Sequence, residues 1–164
     1  MSTQSQPTFR ASLLEVLTED HERLERLFVD LLAALNADAR DDAARLWSEF
    51  DTGLCWRMAL EERSLLPAFR ETEREEANAL LLEHEQIRSR SSELGVGLDL
   101  HLTRADVMAD FLLLLRTHAR REDALLYRWA ARKMPHLERA ELGQAPVTRR
   151  EGQLQTPAAK ALDT

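Results

Sequence analysis

The chain has 164 residues, enough for one domain whose core needs no disulfide or metal merely to fold. Its 22 Lys and Arg against 29 Asp and Glu leave a net charge of −7, which argues against nucleic acid or an anionic membrane as partner. With 44% hydrophobic residues, a single cysteine, no apolar leader in the first ten residues and no apolar run longer than Phe111–Leu115, it reads as a globular cytoplasmic protein.

Four long helices are predicted in chain order, after a flexible start over residues 1–11. Ser12-Leu-Leu-Glu15 is a capping-box pattern, and the stripe Leu14, Leu17, His21, Leu24, Phe28, Leu31, Leu35 follows at spacings of three and four. After a polar break at 36–40, a second helix carries Trp47, Phe50, Leu54, Arg57, Glu61 and Leu65 and runs to Pro67–Arg70. Thr72-Glu-Arg-Glu75 opens a third with Ala77, Leu80, His84, Ile87, Ser91 and Leu94, and Gly95 with Gly97 is expected to stop it. Thr103-Arg-Ala-Asp106 opens a fourth with Val107, Phe111, Leu114, His118, Glu122, Leu125 and Trp129. Pro135 closes it, a short helix is expected over 135–142, and the segment from Gly143 reads as a disordered tail. Short connections between amphipathic helices of this length imply an all-α, up-down-up-down four-helix bundle over residues 12–134.

The informative positions are the polar ones that interrupt these stripes. His21, Arg57, Glu61, His84, His118 and Glu122 all have inward helical phase, and burying them is costly unless something satisfies them. If the helices alternate in direction, His21, roughly 14 Å past the Ser12 cap, lies level with Glu61, Glu122 and His84 to within about 5 Å. Histidine and carboxylate converging at one depth of a bundle point to a non-haem iron or related site. His118-x-x-x-Glu122 places a nitrogen and an oxygen donor one turn apart on one face. Ferritin-like bundles use Glu-x-x-His instead, and no acid lies three residues before His21, His84 or His118. Trp47, Trp56, Trp129 and Tyr127 read as packing residues, and Cys55 as packed between helices. His101 and His136 read as surface or capping residues.

Four fragments resemble the hemerythrin-like, or HHE cation-binding, family: Asp20-His21-Glu-Arg-Leu24, Glu61-Glu62-Arg-Ser-Leu-Leu-Pro67, Glu83-His84-Glu-Gln-Ile-Arg88 and His118-x-x-x-Glu122-Asp123-x-Leu-Leu-Tyr127. The resemblance covers about residues 12–131 and is nearest to iron-cluster-repair and nitric-oxide-responsive members. It implies a bundle with two non-haem irons, His21, His84 and His118 as terminal ligands, and Glu61 and Glu122 as bridges. One position departs from the pattern: Arg57 stands where the second helix should carry histidine. Arginine keeps its proton and offers no lone pair, so one iron position is left short of a ligand. Glu25 and Glu62 are the candidates to fill it.

The expected function is a non-haem iron protein with an incomplete or asymmetric site, holding one or two irons and binding O2, NO or peroxide. No Ser-His or Cys-His nucleophile arrangement is present, so a non-enzymatic role in sensing, carriage or oxidative and nitrosative stress is favoured. The alternative is a bundle whose metal site is retired, with an Arg57–Glu61 ion pair in the metal's place and a structural or protein-interaction role.

Overall fold

The computed structural model describes residues 13–134, and among these the chain is entirely helical. Helix α1 spans Leu13–Asn36, α2 Arg40–Ser64, α3 Leu66–Thr72, α4 Arg74–Asp99, α5 Ala105–Glu122 and α6 Arg128–Lys133. Between α5 and α6 the backbone makes one π-helical turn, Asp123–Tyr127, so that the last two helices are one rod with a widened turn inside it. Helix α1 packs against α2 and α5, and α4 packs against the same two.

The ends of these helices follow local chemistry. Asp41 and Asp42 in the first turn of α2, Glu75 and Glu76 in that of α4, and Asp106 in that of α5 lie where the helix dipole favours negative charge. Helix α1 closes with Asp38 at φ 52°, where Ala39 N–H donates to Ala34 O and Asp38 N–H to Leu35 O. Helix α4 closes the same way through His101 at φ 58°, with Leu102 N–H donating to Gly97 O and His101 N–H to Leu98 O. Both are left-handed caps, built on Asp and His rather than glycine.

Several sequence expectations are corrected. Gly95 and Gly97 do not stop the third predicted helix; both lie inside α4, and they are small because of what they touch. A Cβ at Gly97 would collide with Thr103 Oγ1, and one at Gly95 would come within 3.0 Å of Trp47 Nε1. The capping boxes at Thr72 and Thr103 do not form, since both hydroxyls donate to carbonyls of the preceding helix, Phe69 O and Leu94 O. The second predicted helix breaks at Leu65, and Pro67 sits in the first turn of α3, where its missing N–H costs nothing. Leu114 is exposed, because the buried face of α5 runs through Met108, Phe111, Leu112 and His118. Cys55 is exposed rather than packed between helices. The Ser12 cap, the 135–142 helix, the C-terminal segment and His136 lie outside the described residues.

The apolar core is in two parts. One cluster contains Leu24, Phe28, Leu31, Trp47, Phe50, Leu54, Met58, Ile87 and Phe111. The other contains Leu17, Leu60, Leu65, Phe69, Leu80, Leu126 and Trp129. On α1, α4 and α5 the residues His21, His84, His118 and Glu122 fall between the two sets of apolar positions, and on α2 Arg57 and Glu61 flank the junction of the two sets, Met58 and Leu60.

Candidate metal centre

The six inward polar residues of the sequence meet in this layer. Arg57, Glu61, His84, His118 and Glu122 are buried, and His21 keeps 12% of its side chain exposed. They come from α1, α2, α4 and α5, so the layer ties all four long helices together.

Glu122 is the hub, and its two oxygens face different partners. Oε1 lies 3.1 Å from His84 Nε2 and 2.9 Å from His118 Nε2. Oε2 lies 3.3 Å from His21 Nε2 and 3.4 Å from Arg57 Nη2. Glu61 is shared in a similar way. Its Oε1 accepts from the Tyr127 hydroxyl at 2.5 Å and lies 3.4 Å from Arg57 Nε, while Oε2 lies 3.4 Å from His84 Nε2.

Each of the two most buried histidines is anchored from behind. His84 Nδ1 is 2.8 Å from Glu62 Oε1, which also accepts from Arg88. His118 Nδ1 is 2.8 Å from Glu83 Oε2, and Glu83 is held in turn by Arg121. A carboxylate at Nδ1 fixes that proton and leaves Nε2 as the lone-pair donor, which is how metal-ligating histidines are held. The rings of His84 and His118 meet edge to face at 5.0 Å.

The electrostatics favour cations here. Burial acts to lower the His84 imidazole, but the facing Glu122 and Glu61 carboxylates outweigh it and push its pKa up to about 10. His118 is raised on the same balance, burial opposed by Glu122 and Glu83. Burial acts to raise Glu122, yet Arg57 and then His118, His21 and His84 hold it well below the usual carboxylate range. Glu61 moves up, through burial first and then through repulsion by Glu122.

Two groups of donors lie close enough to share an ion: His84, His118 and Glu122, and His21, Glu61 and Glu122, with the donor atoms of each within 4.8 Å of one another. Within the layer, His21 Nε2, Glu61 Oε2, His118 Nε2 and Arg57 Nε are buried with no hydrogen-bond partner. Buried polar atoms without partners are uncommon, and here two imidazole nitrogens and a carboxylate oxygen are among them, all three belonging to the candidate donor groups. That donor set suits a transition-metal ion such as iron. The fit is good on the His84 side. On the His21 side Arg57 already places a fixed cation against both carboxylates.

Neither candidate for the missing ligand joins these groups. Glu25 pairs with Arg116 at the surface, and Glu62 supports His84 from behind. His101 sits in the left-handed cap of α4. Two contributors escaped the sequence reading. Tyr127, read there as packing, binds Glu61, and its ring stacks on His21 at 5.6 Å. Glu83 stood in a motif, but its service to His118 had no sequence signal beyond an acid next to a buried histidine.

Beside the layer lies a pocket of about 60 Å³ between α1, α2 and α5. His21 and Arg57 form its polar end and Leu24, Phe50, Leu54, Leu112 and Leu115 its apolar wall, with Glu25 and Arg116 at the rim. No helix among the described residues is long and apolar enough to cross a membrane.

The family model for the hemerythrin HHE cation-binding domain matches residues 12–149. No curated protein and no solved structure matches the chain. That match covers most of the sequence, including every residue of the His/carboxylate layer, and the chain belongs to the hemerythrin HHE cation-binding domain family.

Proposed function

We propose that this is a non-haem iron protein of the cytoplasm in which His21, Glu61, His84, His118 and Glu122, carried by an up-down-up-down four-helix bundle, form the metal site. The observation that carries the reading is the anchoring of His84 and His118. Their Nδ1 atoms are engaged by Glu62 and Glu83, and their Nε2 atoms converge on one oxygen of Glu122. A bound iron would supply the redox change and open coordination position that small diatomic ligands need. The chain's part is to hold the donors, keep water scarce and admit something small. The apolar pocket beside His21 fits O2, NO or peroxide in size and lining. A role in sensing, carrying or responding to such molecules follows, and the iron-cluster-repair and nitric-oxide-responsive branch is the nearest type by motif.

The test is metal analysis of the full chain purified without chelator, with absorption spectra of the reduced and oxidised protein. Copurified iron with a ligand-to-metal band on oxidation supports the reading, and protein free of metal that takes none up would sink it.

A second reading is favoured by one observation. Arg57 lies 3.4 Å from both Glu61 and Glu122, an ion-pair network that could stand in for metal altogether. The bundle would then be a structural or protein-interaction domain. Metal-free protein that gains no thermal stability on adding iron is what that reading expects.

A further inference from the structure

The inference here rests on the iron-site reading and specifies how many ions the site takes, and where. We propose that the layer holds one metal ion, bound by His84, His118 and Glu122, and that the Arg57 guanidinium is the permanent occupant of the second cation position.

The division of Glu122 carries the argument. Oε1 belongs to the two anchored histidines, at 3.1 and 2.9 Å. Oε2 belongs to His21 and to Arg57 Nη2, at 3.3 and 3.4 Å. An ion on the Oε1 side therefore finds two imidazole nitrogens and a carboxylate oxygen, the composition of a facial triad with positions left open. Glu61 falls in the other group, with His21 and Glu122, although its Oε2 lies 3.4 Å from His84 Nε2. An ion on the Oε2 side would share Glu61 and Glu122 with a guanidinium at 3.4 Å from each. That group cannot give up its proton, and it is 4% exposed, so it has no solvent to retreat into. Two divalent ions and an arginine would put five positive charges against two carboxylates and three neutral imidazoles in a buried layer. One ion with Arg57 puts three. Arg57 makes one long hydrogen bond, Nη2 to Glu122 Oε2 at 3.4 Å, and its Nε has no hydrogen-bond partner, so the two carboxylates hold it largely through charge.

The experiment is anaerobic titration of the metal-depleted full chain with Fe(II), and with Co(II) as a spectroscopic probe, counting bound equivalents in parent, His21→Ala, His118→Ala and Arg57→His proteins, each checked for helix content. We expect one equivalent in the parent, one still in His21→Ala, a marked loss in His118→Ala and two in Arg57→His. A parent that saturates at two equivalents overturns the inference and leaves the iron-site reading standing. So does loss of the single equivalent in His21→Ala, or its retention in His118→Ala. Arg57→His that folds yet stays at one equivalent shows that something other than the guanidinium excludes the second ion, and overturns the role given to Arg57. If Arg57→His does not fold, the parent count and the His21/His118 contrast decide the location alone. A parent that binds no metal overturns the iron-site reading and this inference with it.

Discussion

The Tyr127 hydroxyl donates to Glu61 Oε1 at 2.5 Å, joining the π-helical turn to the last turn of α2 across the polar layer. Burial and the neighbouring Glu61 and Glu122 charges hold the phenol well above its ordinary pKa, so it remains a donor throughout the working range. Tyr127→Phe keeps the ring on His21 but takes the donor from a buried carboxylate. The expected cost is about 1–3 kcal/mol in urea unfolding, with helix content unchanged. An unchanged midpoint would mean that the hydroxyl contributes nothing to holding Glu61.

Glu83 and Glu62 act on the site only through the histidines they anchor. Glu83→Gln and Glu62→Gln are each expected to weaken metal affinity by roughly 10–100-fold while leaving the number of bound ions the same. His118→Ala, which deletes a donor, should cost more than either. Competition titration against a chelator of known affinity measures all three. Equal losses from Glu83→Gln and His118→Ala would contradict the distinction between anchor and ligand.

Cys55 gives a pH prediction away from the metal layer. Its thiol is pushed above its ordinary pKa by partial burial first and by Asp51 second, with Arg88 opposing. A raised thiol pKa means a smaller thiolate fraction at neutral pH, so alkylation of Cys55 should be slower than that of free cysteine despite its exposure. The pH–rate profile should have its midpoint above that of the free amino acid, and Asp51→Asn should move it down. A midpoint at or below the free value contradicts the assignment.

Much of this arrangement is legible in the residues. The stripe of the third predicted helix, Ala77, Leu80, His84, Ile87, Ser91, Leu94, coincides with the buried positions of α4, because an uninterrupted α-helix keeps its phase over about five turns. The stripe of the last helix does not carry over as well. One π turn after Glu122 turns both Leu126 and Tyr127 inward, whereas a constant period points to Leu125. Nothing in Asp-Ala-Leu-Leu-Tyr announces that extra residue, so the bond from Tyr127 to Glu61 could not be read. Glu83 is hidden for a different reason: it precedes an inward residue by one position, and its charge alone reads as a solvated flank. Glu62 stands out in the sequence as a ligand candidate beside Glu61, and it anchors His84 instead. Cys55 is exposed because, two residues before the buried Arg57, it stands on the opposite side of α2.

The polar layer also decides how damage spreads. Because Phe28 and Phe69 belong to apolar clusters on opposite sides of it, neither shares a cavity wall with the other. Phe28→Ala and Phe69→Ala should each cost about 3–5 kcal/mol, and the costs should sum in the double variant if the parent is stable enough to bear both. Phe28 and Phe50, whose rings meet edge to face at 4.8 Å, should depart from additivity. The histidines and carboxylates thus act as a firebreak: each half of the interior can be repacked without reference to the other, so long as the plane between them keeps its charges.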